Sequence, residues 1–267
     1  MTDATISDEA PAWGALAPSG LFAALLGPAR SSRSGALARL AMAFAPDAAD
    51  IETLGFRARL HPKDNLSEKR ALVSPQRFDP AELAWLSDHL TGDFSFIDLG
   101  ANCGIYTLHL AVKAGPGARF VAVDPQPEML RRLRFNLAAN DLTERVRVMD
   151  VAVSDEAGEL TFHVNTNNRG ESGLITEGET ITVKALTLLD LLDETGLERP
   201  GAIKIDVEGM EMRILARFFD EAPEGRWPGA LVLESLYSNE TRDPVALART
   251  KGYAVALDTG RNVILTR

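Results

Sequence analysis

The residues with the clearest chemical potential form a glycine-rich turn behind an apolar segment. The run Phe94 to Ile97 is followed by Asp98, and Gly100 and Gly104 flank A-N-C. Glycine permits a tight backbone, and a strand, turn and helix in this order place backbone N–H groups beside a nucleotide-like ligand. The spacing differs from the G-x-G-x-x-G of dinucleotide sites. An acid at 98 would repel a phosphate, whereas it suits the cationic amino group of a methionine moiety.

A second acid follows the next predicted strand. Asp124 comes directly after Val121-Ala122-Val123, at the position where a carboxylate can accept hydrogen bonds from both hydroxyls of a ribose. The alternative is that Asp124 caps the following helix, which Pro125 and Pro127 favour. Both roles can coexist in one residue.

Further charged residues end two later predicted strands. Lys204 and Asp206 share one face of the fourth strand, Glu208 follows them, and Glu234 ends the fifth strand. Strand ends of this kind border the ligand crevice of an open α/β sheet. We therefore expect a carboxylate here to orient an acceptor or take its proton, with Asp206 as the first candidate and Glu208 as the second. An ion pair with Lys204 would hold Asp206 in its ionised form.

Two alternatives remain for these acids. Lys204 and Asp206 can be purely structural, while Glu208 only favours the positive N-terminus of the next helix. The three carboxylates could instead bind a divalent cation. We rank metal-free proton transfer above that idea and predict no metal, because the sequence has no paired Asp-Asp ligand motif.

An alternation of predicted strands and helices positions these residues. It predicts an α/β fold of the Rossmann-like class, in which a mostly parallel seven-stranded sheet ends in an antiparallel C-terminal hairpin and carries helices on both faces. The predicted strands are 94–98, 119–123, 146–150, 202–206 and 230–234, and the hairpin pairs 253–257 with 262–266.

Two β-like runs, 159–164 and 180–186, interrupt this alternation after the third strand and predict an inserted hairpin. The loop between them, 165–173, is rich in Asn and Gly, and we expect it to be a mobile gate over the acceptor.

The chain divides by pattern into three parts. Residues 1–50 are an Ala-rich appendage, helical or partly disordered. Two short helices broken near Gly27-Pro28 are expected there, from apolar spacing through Leu21, Leu25, Leu37, Leu40 and Phe44. Residues 51–92 are a lead-in module with a strand at 56–60 and a helix from Asp79-Pro80 to about Leu90. Residues 93–267 are the main domain.

Composition restricts the function classes further. A formal charge of −10 argues against nucleic acid as a partner, because a phosphate-binding groove needs clustered cations. A single cysteine, Cys103, excludes internal disulfides and fits a reducing cytoplasm. The start carries acids instead of a basic signal region, and the apolar run 21–26 is too short to span a bilayer.

Among the four histidines only His163 is kept as a possible base, because it lies on the inserted hairpin.

Several stretches together resemble one family. The run 96–107 matches the D-x-G-A-N-x-G-x-x-T loop of the FkbM methyltransferases, and V-D-P at 123–125 is similar to their post-strand acid, although the family more often has Glu there. Residues 134–140, 151–155 and 184–192 resemble R-x-N-x-x-x-N, A-L-S-D and T-L-D-D-L, with Leu189 in place of the first Asp of the last motif. The most distinctive match is I-K-I-D-V-E-G-M-E at 203–211. The resemblance covers about residues 55–267.

This resemblance implies an S-adenosylmethionine-dependent O-methyltransferase that acts on a hydroxyl of a sugar, glycolipid or polyketide-type small molecule. The alternatives are an N-methyltransferase, a protein or RNA methyltransferase of the same fold, or an inactive cofactor-binding scaffold. The residues expected to contact the cofactor are Asp98, Gly100, Ala101, Asn102, Gly104, Thr107, Asp124, Asp150 and Ala152.

Overall fold

A computed structural model of the chain describes residues 10–32, 34–174, 178–234 and 243–267. The helices are α1 (Gly20–Ser32), α2 (Gly35–Ala43), α3 (Leu66–Val73), α4 (Pro80–Asp88), α5 (Ile105–Ala111), α6 (Pro127–Ala138), α7 (Leu188–Thr195), α8 (Glu211–Glu221) and α9 (Pro244–Thr250). The strands are β1 (Ala49–Thr53), β2 (Phe56–Leu60), β3 (Ser95–Leu99), β4 (Arg119–Val123), β5 (Val146–Met149), β6 (Ala152–Val153), β7 (Gly158–Val164), β8 (Glu179–Leu186), β9 (Ala202–Ile205), β10 (Ala230–Glu234), β11 (Ala254–Asp258) and β12 (Asn262–Thr266).

The main sheet has the order β11-β12-β10-β9-β3-β4-β5. Strands β10, β9, β3, β4 and β5 pair in parallel, while β12 is antiparallel to both β10 and β11. This confirms the predicted fold class. The chain winds outward from β3 through β4 and β5, then crosses back to β9 on the other side of β3. The β3/β9 boundary is therefore the switch point of the sheet, where open α/β folds bind ligands.

The inserted hairpin forms as predicted, but it belongs to a larger unit. Strands β7 and β8 pair antiparallel along their lengths, and the two-residue strand β6 adds to β8 in parallel. The result is a separate three-stranded sheet of order β6-β8-β7. Two residues cannot show an alternating pattern, which is why β6 escaped the sequence analysis.

The predicted helix break at Gly27-Pro28 is wrong. Helix α1 continues through Pro28 to Ser32, and its buried stripe is Phe22, Leu26 and Ala29. These residues share one helical face, so their packing offsets the hydrogen bond that proline removes. Three of the five residues in the predicted apolar spacing are exposed, since Leu21, Leu40 and Phe44 are 54%, 47% and 48% exposed. None of the helices within the described ranges is long and apolar enough to cross a membrane.

Two elements of the lead-in region were not predicted. Strand β1 pairs with β2, and its Asp50 is buried in an ion pair of 2.7 Å between its Oδ1 and Arg59 Nε. Helix α3 begins at an Asn65 cap that accepts from the Glu68 backbone N–H. One hydrophobic cluster contains Phe22, Phe56 and Phe96. The core therefore runs continuously from the N-terminal helices to the main sheet.

A buried arginine attaches the lead-in region to α6. The Arg132 guanidinium contacts Glu68 Oε1 at 2.6 Å, Asp64 Oδ2 at 2.7 Å and Glu128 Oε1 at 2.7 Å. Its side chain is 4% exposed and that of Glu68 is fully buried. Burial of these charges is tolerated because each of them has an oppositely charged partner.

Replacement of Arg132 by Ala should leave Glu68 buried without its cation. We expect this to lower the free energy of unfolding by about 3–5 kcal/mol in urea titrations. Arg134→Ala is the matched control, because Arg134 is exposed on the same helix, and its effect should stay within about 0.5 kcal/mol. Equal losses in the two variants would show that the Arg132 cluster does not hold the lead-in region.

Candidate active site

The carboxyl ends of β3, β4, β9 and β10 open into a cavity of about 250 Å³. Asp98, Asp124, Asp206 and Glu234 come from these strand ends and all line it. Helix α3 and the loop 168–172 supply the other walls. A group of acids predicted from separate parts of the sequence thus meets in one place.

The glycine turn is fixed by its neighbours on both sides. The N–H groups of Gly100 and Ala101 both donate to the Val123 carbonyl at 3.0 Å. Gly100 has φ 75°, and a Cβ there would lie 1.9 Å from the Asp206 carbonyl oxygen. No other residue fits this position. Gly104 serves packing: a Cβ would lie 2.4 Å from Leu133 Cδ1, and Gly104 does not line the cavity.

Asp98 is a buried carboxylate with one unused oxygen. Its Oδ2 accepts from Thr107 Oγ1 at 2.8 Å, while Oδ1 has no hydrogen-bond partner among the residues described. The nearest cation, Lys204 Nζ, is 3.8 Å from Oδ1. Burial raises the pKa of Asp98 above its ordinary value. Thr107 is fully buried and orients Asp98, and it does not reach the cavity.

Asp124 joins the glycine turn to the start of α6. Its Oδ2 accepts from the Asn102 backbone N–H at 2.8 Å and its Oδ1 from the Gln126 N–H at 2.9 Å. Burial raises the pKa of Asp124 to about 6. Each oxygen keeps a free lone pair for a ligand in the cavity. Asp124 does not cap α6, because the N-cap of that helix is Gln126 and no side chain caps it. The ligand role of Asp124 stays a prediction.

A smaller apolar cavity of about 50 Å³ adjoins Asp124. Pro125, Ala152, Val153 and Phe162 are among its walls. Ala152 is thus placed beside the expected cofactor position. Asp150 differs from the expectation, because its side chain is exposed and lines neither cavity. It follows the last residue of β5 and faces away from the buried cleft.

The fourth strand ends in a paired lysine and aspartate, as predicted. Lys204 Nζ donates to Asp206 Oδ2 at 2.8 Å and lies 5.1 Å above the ring of Tyr106. Burial lowers the pKa of Lys204, but Asp206 and Asp98 outweigh burial and raise it above its ordinary value. Lys204 is therefore a fixed cation between two strand-end acids.

Glu208 and Glu234 are two further acids of the cavity with a raised pKa. Burial, followed by repulsion from Asp206 and Glu234, raises the pKa of Glu208 to about 8. Burial and Asp206 raise the pKa of Glu234 to about 7, although Arg261 lies 3.6 Å away. Glu208 also has a backbone φ of 54°. Strained backbone of this kind is found preferentially at functional sites.

Asp79 is a site residue that the sequence analysis missed. It accepts from the Tyr106 hydroxyl at 2.9 Å and lines the cavity, and burial raises its pKa. The Asp-Pro pair indicated only the start of a helix. Asp79 in fact has φ 37°, and its side chain makes no capping hydrogen bond. The approach of Tyr106, which is distant in sequence, could not be read from local pattern.

The loop 165–173 forms a wall of the cavity through a short 3-10 turn at Arg169–Glu171. Arg169 Nη1 donates to Gln126 Oε1 at 3.1 Å, and Arg169 Nε donates to Asp64 Oδ2 at 3.0 Å. Asn168 Oδ1 accepts from the Leu66 N–H at 3.0 Å. The Asn and Arg side chains therefore attach the loop to its surroundings, while its mobility stays a prediction. His163 is bridged to Gly173 and does not line the cavity.

Comparison with known proteins relates this site to a family. Residues 98–227 match the methyltransferase FkbM domain. Methyltransferase sdnD of Sordaria araneosa is 27% identical over 61% of this chain and 74% of its own length. The 31-O-demethyl-FK506 methyltransferase FkbM of Streptomyces tacrolimicus is 33% identical over 51% of this chain and 62% of its own.

Further relatives include the 2-O-methyltransferase NoeI of Sinorhizobium fredii, which is 29% identical over 45% of this chain and 55% of its own length. Among solved structures, a precorrin-6y C5,15-methyltransferase from Geobacter metallireducens covers 73% of this chain and 88% of its own, at 16% identity and a TM-score of 0.46.

The matched segment contains the glycine turn, Asp124, the Lys204–Asp206 pair and Glu208. Their arrangement at the switch point is the one expected from the FkbM resemblance. The matched segment, the related proteins and the geometry of the site together support an FkbM-family methyltransferase.

Proposed function

We propose that this chain transfers the methyl group of S-adenosylmethionine to a hydroxyl oxygen of a small molecule or glycan. The observation that carries the proposal is the unused, buried oxygen of Asp98 beside the glycine turn. A buried carboxylate oxygen without a donor is costly, and a ligand ammonium would supply the missing partner. Two relatives support oxygen as the acceptor atom, because their names are 2-O-methyltransferase NoeI and 31-O-demethyl-FK506 methyltransferase FkbM.

The residues present fit the cofactor along its length. Asp98 would hold the amino group and Gly100 would let the chain approach closely. Asp124 would accept the ribose hydroxyls, and the apolar cavity beside Pro125 and Ala152 would hold a flat base. When bound, the cofactor supplies an electrophilic methyl group on a sulfonium.

The acids on the β9 and β10 side would handle the acceptor proton. A hydroxyl becomes strongly acidic as its oxygen gains the methyl group, so a carboxylate can take the proton late in the reaction. Asp206 is engaged by Lys204, which suits a role in orienting the hydroxyl. Glu208, with its pKa of about 8, is matched to a proton-accepting role near neutral pH. We therefore propose Glu208, ahead of Asp206, as the base.

Replacement of Asp124 by Ala should weaken binding of S-adenosylhomocysteine by roughly 1–3 kcal/mol, because ribose donors would lose their acceptor. Calorimetry measures this directly. Asp88→Ala is the control, since Asp88 is an exposed acid at the end of α4, ahead of β3. Unchanged affinity in Asp124→Ala would remove Asp124 from the ribose site.

Replacement of Glu208 by Gln should lower single-turnover methyl transfer on the order of 10²–10⁴-fold, with cofactor affinity nearly unchanged. The neutral acid cannot accept a proton, so the wild-type rate should increase as pH rises through about 8, its midpoint, and level off above that. The variant should lose this pH dependence.

Glu234→Gln provides the comparison. It should keep the pH dependence, with the midpoint moved to lower pH because a repelling carboxylate near Glu208 is gone. Full turnover in Glu208→Gln together with loss of turnover in Asp206→Asn would return the base role to Asp206.

A further inference from the structure

Arg70 lines the cavity, and no residue of the described ranges pairs with its guanidinium. It lies on α3, one turn beyond Leu66 and Ser67, and all three residues form the same wall. Within the described ranges, its guanidinium makes no hydrogen bond and no ion pair with the protein, and only more distant charges act on it. Burial, followed by repulsion from Arg261, lowers its pKa.

The acids nearest to Arg70 are already engaged. Asp79 accepts from the Tyr106 hydroxyl at 2.9 Å, and Glu234 is paired with Arg261 at 3.6 Å. Both carboxyls also have a raised pKa, mainly through burial, which weakens their negative charge near neutral pH. The positive charge of Arg70 is therefore incompletely balanced by its surroundings.

The chain pairs its other arginines of this region directly. Arg59 Nε lies 2.7 Å from Asp50 Oδ1. Arg132 Nη1 lies 2.6 Å from Glu68 Oε1, and Arg169 Nε lies 3.0 Å from Asp64 Oδ2. Partly buried cations are costly unless paired, so an unpaired guanidinium at a cavity wall indicates that a ligand supplies the anion. The planar guanidinium of an arginine can donate two parallel hydrogen bonds to one carboxylate or phosphate.

Resting on the proposed methyl transfer, we propose that Arg70 binds an anionic group of the acceptor, so that the substrate is an acidic small molecule or acidic sugar. The anion would lie against α3, while the hydroxyl to be methylated faces Asp206 and Glu208 at the strand ends. Arg70 is then a specificity-determining residue that takes no part in proton transfer.

The test is calorimetric titration of the protein saturated with S-adenosylhomocysteine, using glucuronate, glucose 6-phosphate and glucose as probes. We expect at least one anionic probe to bind roughly tenfold or more tightly than glucose, as a charged hydrogen bond contributes. Glucuronate and glucose 6-phosphate distinguish a carboxylate site from a phosphate site. Arg70→Gln should bind all three probes equally, and Arg39→Gln, an exposed arginine of α2, should behave as wild type.

No preference of the wild-type protein for either anionic probe would overturn the inference, and so would a preference that survives in Arg70→Gln. If Arg70→Gln does not bind S-adenosylhomocysteine, Arg70→Lys decides, because it keeps the charge and loses the fork. The anion preference should then fall without disappearing, and an unchanged preference contradicts the proposal. Failure of the wild-type protein to bind S-adenosylhomocysteine would instead count against the proposed methyl transfer.

Discussion

The contact between Gly100 and the backbone carbonyl of Asp206 constrains the geometry of the whole site. A Cβ at position 100 would lie 1.9 Å from that oxygen, so only glycine lets the turn after β3 lie against the end of β9. The Asp206 N–H also donates to the Leu99 carbonyl at 3.1 Å. These two strands are neighbours across the switch point. Their close approach brings Asp98 and Asp206 into one cleft, where both line the same cavity.

Because these carboxylates lie close together, their negative charges repel one another, and several groups of the site offset this repulsion. Asp98 and Asp206 share Lys204 as their common cation, and Lys204 lies over the ring of Tyr106, whose hydroxyl donates to Asp79. Burial and repulsion from Asp206 and Glu234 raise the pKa of Glu208 at the same edge of the sheet. Glu208 thereby gains a basicity that an exposed glutamate does not have.

The sequence carried enough local information to predict the elements of the sheet. Strands β4 and β10 were predicted with their observed bounds, since each is a short apolar run between clear turn signals. The acids at the strand ends were likewise predictable, because a parallel sheet places carboxyl ends at one edge. Asp79, Arg70 and the short strand β6 were not, because their roles depend on contacts between segments far apart in the chain. The continuity of α1 through Pro28 also depends on tertiary packing, which outweighed the local preference of proline.

The walls of the cavity have different origins along the chain. The strand-end acids fall largely within the segment matched by the family, whereas Leu66, Ser67, Arg70 and Asp79 precede it. The loop 165–173 is attached to that preceding segment through Asp64 and Leu66. Substitutions in α3 can therefore reshape one wall of the cavity while the acids at the strand ends stay in place. This separation along the chain allows one wall of the cavity to vary while the strand ends that carry the acids are kept.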